Sequence, residues 1–112
     1  MDTWYRIGDA HELGIDPITI SRYIQGEWHR PIALSLPEFY DWQFRQGPDN
    51  AGRDRCVIVA NDNNEIFGFM GLNDRRFYLN GRCLKGAELT TWMISEKVRG
   101  LGYGKAIIEQ AV

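Results

Sequence analysis

The sequence lacks the features that mark several classes of protein. It has only two cysteines, Cys56 and Cys83, and their spacing fits neither a Cys-x-x-Cys redox motif nor a zinc site. Both are expected to be small, buried or half-buried thiols in a reducing compartment. No stretch resembles a signal peptide, and no apolar run approaches the roughly 20 residues of a membrane span. These absences favour a cytoplasmic protein with no bound metal and no membrane partner.

Net charge is also small. The formal charge is −2 at pH 7, with 25% charged residues, so bulk attraction to nucleic acid or to an anionic membrane is not expected. A local anion site remains compatible with this balance. The 112 residues are 44% hydrophobic and 12% aromatic, which predicts a single folded domain over residues 1–112.

Two helices are predicted in the first half of the chain, after a short strand at residues 4–7. The first helix is expected to begin at Asp16, whose side chain can cap it, and to end near Gly26. The second is expected to begin at Ser35, because Glu38 follows three residues later in capping-box spacing. The second helix is predicted to have one apolar face, because its apolar residues fall at helical spacing. Gly47-Pro48 is expected to end it, and residues 49–54 are expected to form a polar loop.

The second half of the chain has the pattern of β-strands. Strands are predicted at residues 56–60, 66–72, 77–79, 82–84 and 88–94, the third and fourth forming a hairpin. The Asn80-Gly81 pair is the turn signal of that hairpin. A helix is predicted from Lys105 onward. This order predicts an α/β (α+β) fold with a mixed, mostly antiparallel sheet flanked by helices.

A glycine-rich segment between the last strand and the last helix carries the chemistry. The apolar strand runs into Arg-Gly-x-Gly-x-Gly, from Arg99 to Gly104, and a helix follows at once. Alternate glycines allow a tight turn and a close approach by a ligand. Backbone N–H groups and the positive end of the helix dipole attract an anion there, and Arg99 and Lys105 add positive charge. A diphosphate is the natural ligand for this loop.

Spacing separates this loop from two other phosphate-binding motifs. A P-loop needs Ser or Thr after its Gly-Lys pair, whereas Ala106 follows Lys105 here. A Rossmann motif needs Gly-x-Gly-x-x-Gly after an early parallel strand, whereas Gly100, Gly102 and Gly104 are spaced by two and follow antiparallel strands. A plain turn with glycine caps remains the alternative that needs no ligand.

The loop resembles the signature of GNAT acyltransferases, Gln/Arg-x-x-Gly-x-Gly/Ala at the end of the fourth strand. Arg99, Gly102 and Gly104 match it in register, and the order of elements is similar over nearly the whole chain. Glu96 departs from the pattern, because many relatives have proline there. The resemblance implies an acyl-CoA-dependent N-acyltransferase that transfers an acetyl group from acetyl-CoA to an amine.

The same resemblance implies which residues would bind acyl-CoA. Main-chain groups near Met93 and Ile94 would pair with the pantetheine arm, and the backbone of residues 99–104 would bind the pyrophosphate. The expected cofactor-binding residues are Met93, Ile94, Arg99, Gly100, Leu101, Gly102, Tyr103, Gly104 and Lys105. No metal is expected.

Glu88 is the candidate catalytic residue, because some relatives that acetylate lysine carry a general-base glutamate at a comparable place on this strand. Its apolar neighbours Leu89 and Trp92 would make the carboxylate more basic. The alternative is a solvated glutamate at a strand edge. His11 and His29 are the other possible bases, although a surface position is the favoured interpretation for both. Cys83 has no histidine nearby in sequence that would make it a nucleophile.

The acceptor stays open at this stage: a small-molecule or peptide amine, including aminoglycosides, amino sugars and lysine. The aromatic residues of the second helix could line its site, although core packing is the favoured interpretation; they are Phe39, Tyr40, Trp42 and Phe44. Because the chain ends in a predicted helix, we expect a domain truncated after the fourth strand and the start of the third helix. A homodimer or larger assembly is expected, and a non-catalytic CoA-binding or self-associating module is the alternative function.

Overall fold

The computed structural model describes residues 5–28, 32, 35–45 and 54–111. The helices are α1 (Ala10–Leu13), α2 (Pro17–Glu27), α3 (Pro37–Tyr40) and α4 (Tyr103–Ala111). The strands are β1 (Arg6–Gly8), β2 (Cys56–Ala60), β3 (Ile66–Leu79) and β4 (Arg82–Ile94). A π-helical turn (Asp41–Arg45) continues α3, and a 3-10 turn (Glu96–Val98) follows β4.

The four strands form one sheet in the order β1-β2-β3-β4. Each neighbouring pair is antiparallel, and β4 is the last strand on its side of the described sheet. The helices lie on both faces. The prediction of a mostly antiparallel sheet flanked by helices is therefore confirmed.

The sheet separates two apolar cores. One core lies under α1, α2 and α3; its largest fully buried side chains are Ile20, Ile24, Tyr40, Phe44, Ile58 and Phe69. The other lies under α4; its members include Val57, Val59, Phe67, Met70, Val98, Tyr103 and Ile107. Alternate residues of β2 enter opposite cores, as the two-residue repeat of a strand requires. The sheet face under α1, α2 and α3 is called the helix-pair face, after its two main helices α2 and α3. The opposite face is called the α4 face.

The predicted start of the first helix is confirmed. The Asp16 side chain accepts a hydrogen bond from the Thr19 N–H at 2.8 Å, which caps α2. The capping box at Ser35 is wrong, since Leu36 is the N-cap and the Ser35 hydroxyl donates instead to the Ile32 carbonyl. Gly26 does not end α2, because the helix continues to Glu27. The predicted end of the second helix, at residues 47–48, lies outside the described residues.

The predicted set of short strands is wrong at the hairpin. β3 and β4 are continuous strands that pair from Gly68 opposite Ile94 to Leu79 opposite Arg82. Beyond the body of the domain this two-stranded ribbon is open to solvent on both faces, so polar residues fit either face and the alternation that marks a strand is lost. The predicted turn is correct: Asn80 and Gly81 have φ angles of 51° and 76°, the signature of a type I′ turn.

The two cysteines differ in exposure. Cys56 is buried in β2, as expected, whereas Cys83 is exposed on the hairpin. The prediction for Cys83 is wrong because none of the described residues packs against the face of the ribbon that carries it. Burial raises the pKa of the Cys56 thiol to about 12, although a hydrogen bond with Tyr40 partly offsets this.

A buried polar network that the sequence did not reveal ties α3 to the start of β2. The Tyr40 hydroxyl donates to Asp54 and lies 3.4 Å from the Cys56 sulfur. The Arg45 guanidinium donates to the same Asp54 oxygen at 2.7 Å. Burial, with Cys56 and Asp54 nearby, raises the pKa of Tyr40 above its usual range. Asp54, predicted to lie in a polar loop, is therefore a buried partner of two side chains.

Among the described residues, no helix has the length and apolar character that a membrane span requires. Within those same ranges, no three His, Cys, Asp or Glu side chains are grouped to hold a metal ion.

Candidate functional site

A bulge interrupts β4 shortly before its end. Phe69 pairs with Met93 and Gly71 pairs with Thr90, so Thr91 and Trp92 together face the single residue Met70. Thr91 has a φ angle of 52°, which is strained for a β-branched residue and typical of functional sites. Because of the bulge, Thr90 and Thr91 point to the same face, and their hydroxyls lie 3.3 Å apart.

A cavity of about 280 Å³ lies beside this bulge on the helix-pair face. Its lining includes Trp28 at the end of α2, Phe39 and Gln43 near α3, Asn73 of β3, and the threonines Thr90 and Thr91. The Gln43 side-chain amide donates to the Asn73 side-chain carbonyl. The cavity therefore has aromatic walls and a floor of neutral polar groups.

The aromatic residues of the second predicted helix were expected either to line the acceptor site or to pack in the core, and the structure shows both arrangements. Phe39 and Phe44 both line the cavity, and Phe44 is also buried in the core with Tyr40. Trp42 is 62% exposed and lines neither. Core packing is thus correct for Tyr40 and Phe44 and wrong for Trp42. Phe39 does both, since it lines the cavity and, half-buried, packs against the core.

Glu88 lies on β4 at the rim of the cavity. It pairs with Asn73 across the ribbon and precedes Thr90 by two residues, so its side chain is on the helix-pair face. The side chain is 56% exposed, and its carboxylate lies 3.5 Å from the Arg75 guanidinium. Glu88 was predicted to start a strand, but it lies within β4. Leu89 is itself half exposed, so the apolar surroundings expected for Glu88 are absent from the described residues around it.

The glycine loop (residues 99–104) leaves β4 through two tight turns. The Arg99 N–H donates to the Glu96 carbonyl at 3.2 Å, and the Leu101 N–H donates to the Val98 carbonyl at 3.3 Å. Gly100 and Gly102 have φ angles of 84° and 91°. Residues other than glycine rarely adopt these φ angles, so the backbone conformation alone is sufficient reason for both glycines.

The loop is nevertheless open in the way an anion site requires. A Cβ atom built on Gly100 or Gly102 would meet nothing within 4 Å. Within the described part of the chain, the N–H groups of Gly100, Gly102 and Gly104 donate no hydrogen bond. α4 begins at Tyr103, so the positive end of its dipole faces this space. The loop therefore fits a pyrophosphate.

Gly104, the third glycine of the loop, is required by packing rather than by its φ angle. A Cβ on Gly104 would lie 3.1 Å from the ring of Trp92, so the absence of a side chain lets α4 pack closely on β4. Tyr103 is likewise a core residue, 2% exposed, with its ring centroid 4.7 Å from that of Tyr5. Only the main chain of these two residues is available to a ligand.

The charged side chains of the loop already have contacts. Arg99 donates from its Nε to the Ile94 carbonyl at 3.1 Å, which anchors the guanidinium at the end of β4. The Lys105 ammonium is 83% exposed and lies 3.7 Å from Glu109, one helical turn away. Leu101 is exposed. Of the two predicted pantetheine contacts, Met93 packs on the core of the helix-pair face and Ile94 on the core of the α4 face.

A second polar network, which the sequence did not indicate, fixes α2 to the start of this loop. The buried Ser95 hydroxyl lies 3.1 Å from the Glu27 carboxylate and 3.3 Å from the Tyr23 hydroxyl. Burial raises the pKa of Tyr23 to about 12; the hydrogen bond with Ser95 opposes this and the Glu27 charge adds to it. No sequence signal marks this contact, because its members are about 70 residues apart.

His11 is exposed on α1, as expected, and His29 lies outside the described residues.

The fold is that of solved N-acetyltransferase structures. It is similar to a glucosamine N-acetyltransferase region of a fungal multi-domain GH3 β-N-acetylglucosaminidase, with 12% identity and a TM-score of 0.68 over 99% of this chain and 12% of that one. Glucosamine-6-phosphate N-acetyltransferase from Arabidopsis thaliana has 12% identity and a TM-score of 0.67, over 96% of this chain and 71% of that one. A GNAT family N-acetyltransferase from Escherichia coli, in complex with CoA, has 14% identity and a TM-score of 0.61, over 95% of this chain and 52% of that one.

Sequence comparison identifies the family. The sequence model of the acetyltransferase (GNAT) family matches residues 20–112. The chain therefore belongs to the GNAT acetyltransferase family, as the resemblance of its loop predicted. No curated protein matches the sequence.

Proposed function

We propose that the protein is an N-acyltransferase that transfers an acetyl group from acetyl-CoA to an amine. The observation that carries this proposal is the glycine loop, which is open at Gly100 and Gly102 and lies at the N-terminus of α4. The acceptor cavity lies on the same strand, at the bulge of β4. Both cysteines are free thiols, which is compatible with the cytoplasm that we propose as its compartment.

In this proposal the protein binds acyl-CoA mainly through its backbone. The N–H groups of Gly100, Gly102 and Gly104 bind the pyrophosphate, and main-chain groups at Met93 and Ile94 bind the pantetheine arm along the outer edge of β4. The bound co-substrate supplies the acyl group as an activated thioester. Arg99, held by the Ile94 carbonyl, adds a positive charge beside the pyrophosphate.

Glu88 is the proposed general base. An amine acceptor is protonated at neutral pH and must lose a proton before it can attack a thioester carbonyl. Glu88 lies on the same face of β4 as Thr90, which lines the cavity, so its carboxylate reaches an amine at the rim directly or through a water molecule. Arg75 holds the carboxylate in place.

The test compares two glutamates that are similarly exposed and similarly paired. Glu88→Gln should lower kcat by about 10²–10⁴-fold, the usual contribution of a general base, and leave CoA affinity unchanged. Glu65→Gln is the control, because Glu65 is 53% exposed, pairs with Lys97 and lies far from the cavity along the chain. A thiol-release assay measures kcat, and calorimetry measures CoA binding. No binding of CoA by the parent protein would refute the proposal, and unchanged kcat in Glu88→Gln would refute the role of Glu88.

A self-associating, non-catalytic module is the second candidate, and the exposed hairpin favours it. Leu84 and Leu89 of β4 are 46% and 49% exposed, and the outer edge of β4 pairs with no described strand. Such an edge favours pairing with another chain. Strong association together with no CoA binding would favour this candidate over the enzyme.

A further inference from the structure

We propose that the cavity at the β4 bulge selects a small primary amine with an aryl or alkyl body, rather than a phosphorylated amino sugar or a polyamine. This inference rests on the proposed acyltransferase function and adds the chemical class of the acceptor. The two structural relatives from the fungus and Arabidopsis act on glucosamine compounds, as their names state. The lining of this cavity has a different character.

The walls of the cavity are apolar and largely aromatic. Trp28 and Phe39 face it from the ends of α2 and α3, and Ile32 and Phe44 complete the apolar surface. Trp28 is 40% exposed, so a ligand would cover apolar surface that is otherwise in water. Burial of apolar surface stabilises a complex in proportion to the area that is covered. The walls therefore favour a ligand with an apolar body.

The polar groups in the described part of the cavity lining are neutral. Gln43 and Asn73 are amides that hydrogen bond to each other, and Thr90 and Thr91 offer hydroxyls 3.3 Å apart. Among the described lining residues, none is ionisable. A phosphate or a second ammonium group would lose hydration at this lining without gaining an opposite charge, and an uncompensated charge is costly to bury.

The arrangement also sets the orientation of the ligand. The hydroxyls of Thr90 and Thr91 lie on β4, two to four residues before the main chain that is proposed to bind the pantetheine arm. Glu88 lies on the same strand, two residues before Thr90, at the β4 side of the cavity. The amine of the acceptor therefore points to β4, and its body points toward Trp28 and Phe39.

The size of the cavity matches a small molecule. A cavity of about 150 Å³ is sufficient for benzene, and this one measures about 280 Å³. That space holds a ring and a short alkyl chain. It is smaller than the usual range of roughly 300–1,000 Å³ for drug-sized ligands.

Direct amine binding tests this inference without acyl-CoA. We would titrate the isotope-labelled protein with 2-phenylethylamine, glucosamine 6-phosphate and spermidine, and follow backbone amide signals by NMR. 2-Phenylethylamine should shift the amides of Phe39, Gln43, Thr90 and Thr91 and bind at least tenfold more tightly than the other two. Equal or tighter binding of glucosamine 6-phosphate or spermidine at these residues, or no shift with 2-phenylethylamine, would overturn the inference.

Two substitutions test the lining itself. Phe39→Leu removes the ring but keeps most of the apolar volume, and it should weaken 2-phenylethylamine about tenfold; Phe77→Leu, on the exposed hairpin, is the matched control and should change binding less than twofold. Gln43→Glu adds a carboxylate and should improve spermidine binding at least tenfold relative to 2-phenylethylamine. Wild-type affinities in both cavity variants would contradict the assignment.

Calorimetry with CoA on the same preparations separates this inference from the proposed function. CoA binding combined with a preference for the polar amines would overturn the acceptor class alone. Selective binding of 2-phenylethylamine without any CoA binding would support the cavity's selectivity and refute the acyltransferase.

Discussion

At the scale of single residues, the end of β4 concentrates unusual backbone conformations. Thr91, Gly100 and Gly102 all have positive φ angles within twelve residues. The first forms the bulge beside the acceptor cavity, and the other two form the loop proposed for the pyrophosphate. The hydroxyl contact between Thr91 and Thr90 does not offset the backbone strain at Thr91. Backbone strain of this kind is typical of a site that is shaped for a ligand.

The first prediction separates backbone strain from ligand contact in the loop. Gly102→Ala and Gly14→Ala both place a side chain at positive φ, 91° and 70°, where a Cβ meets nothing within 4 Å. Each should therefore destabilise the fold by a similar amount, about 1–2 kcal/mol. Only Gly102→Ala should weaken CoA binding, by more than tenfold, because its methyl group occupies the space proposed for phosphate oxygens. Urea unfolding and calorimetry measure the two effects, and equal CoA affinity in both variants would show that the loop does not bind the pyrophosphate.

The second prediction concerns the buried network of Asp54. Tyr40→Phe removes the hydroxyl that donates to Asp54 and leaves a buried carboxylate with one partner fewer. The loss should be about 1–3 kcal/mol of unfolding free energy. Tyr78→Phe removes the same group from a residue that is 76% exposed and should change stability by less than about 0.5 kcal/mol. Chemical denaturation compares the two, and equal stabilities would show that the network contributes nothing.

At the scale of elements, α2 depends on its N-cap. The backbone N–H of Thr19 donates to Asp16, and this hydrogen bond is the main reason that the pKa of Asp16 falls below its usual 3.8. A lowered pKa in the folded state means that the charged cap stabilises the fold above pH 3.8. That contribution is lost as pH falls through the folded-state pKa.

The third prediction follows from this sign. Asp16→Asn keeps an N-cap acceptor and should retain most of the stability at pH 7, whereas Asp16→Ala should lose about 0.5–2 kcal/mol there. Between pH 7 and pH 3 the Asn variant should lose less stability than the parent protein, because position 16 no longer titrates. Urea unfolding at both pH values measures this. An identical pH dependence in parent and Asn variant would contradict the proposed charge on the cap.

At the scale of the whole molecule, the sheet divides the domain into a face with the cavity and a face with the glycine loop. α1, α2 and α3 cover the face that carries the cavity, and α4 covers the face from which the glycine loop leaves. The cavity and the glycine loop both adjoin β4, whose outer edge is the edge of the described sheet. A ligand that uses both must therefore pass along this edge.

The fourth prediction tests how far α4 supports the loop. Ile107 of α4 is fully buried against the sheet, so Ile107→Ala should cost about 2–5 kcal/mol of stability and weaken CoA binding through a loosened α4. Ile18→Ala on α2 is the control, since Ile18 is 53% exposed and should be nearly neutral in both respects. Thermal unfolding and calorimetry measure the outcome. Unchanged stability would show that α4 does not pack as described.

The fifth prediction concerns assembly. The exposed Leu84 and Leu89 on the unpaired edge of β4 should promote a dimer or a larger assembly. Replacing both by lysine should shift the protein toward the monomer, because charged side chains on an edge strand oppose pairing. Light scattering over a range of concentrations measures this, and a monomeric parent at high concentration would contradict it.

The sequence by itself determined the antiparallel order of strands, the Asp16 cap, the Asn80-Gly81 turn and the glycine loop. These features depend on residues close together in the chain, where backbone preference and short-range hydrogen bonds act directly. The tertiary structure alone decided that Ser95 contacts Glu27, that Asp54 is buried with Tyr40, and that Thr90 and Thr91 share a face with Phe39. Those contacts join residues far apart in the chain, and the bulge that turns both threonines to one side arises from the pairing of β4 with β3.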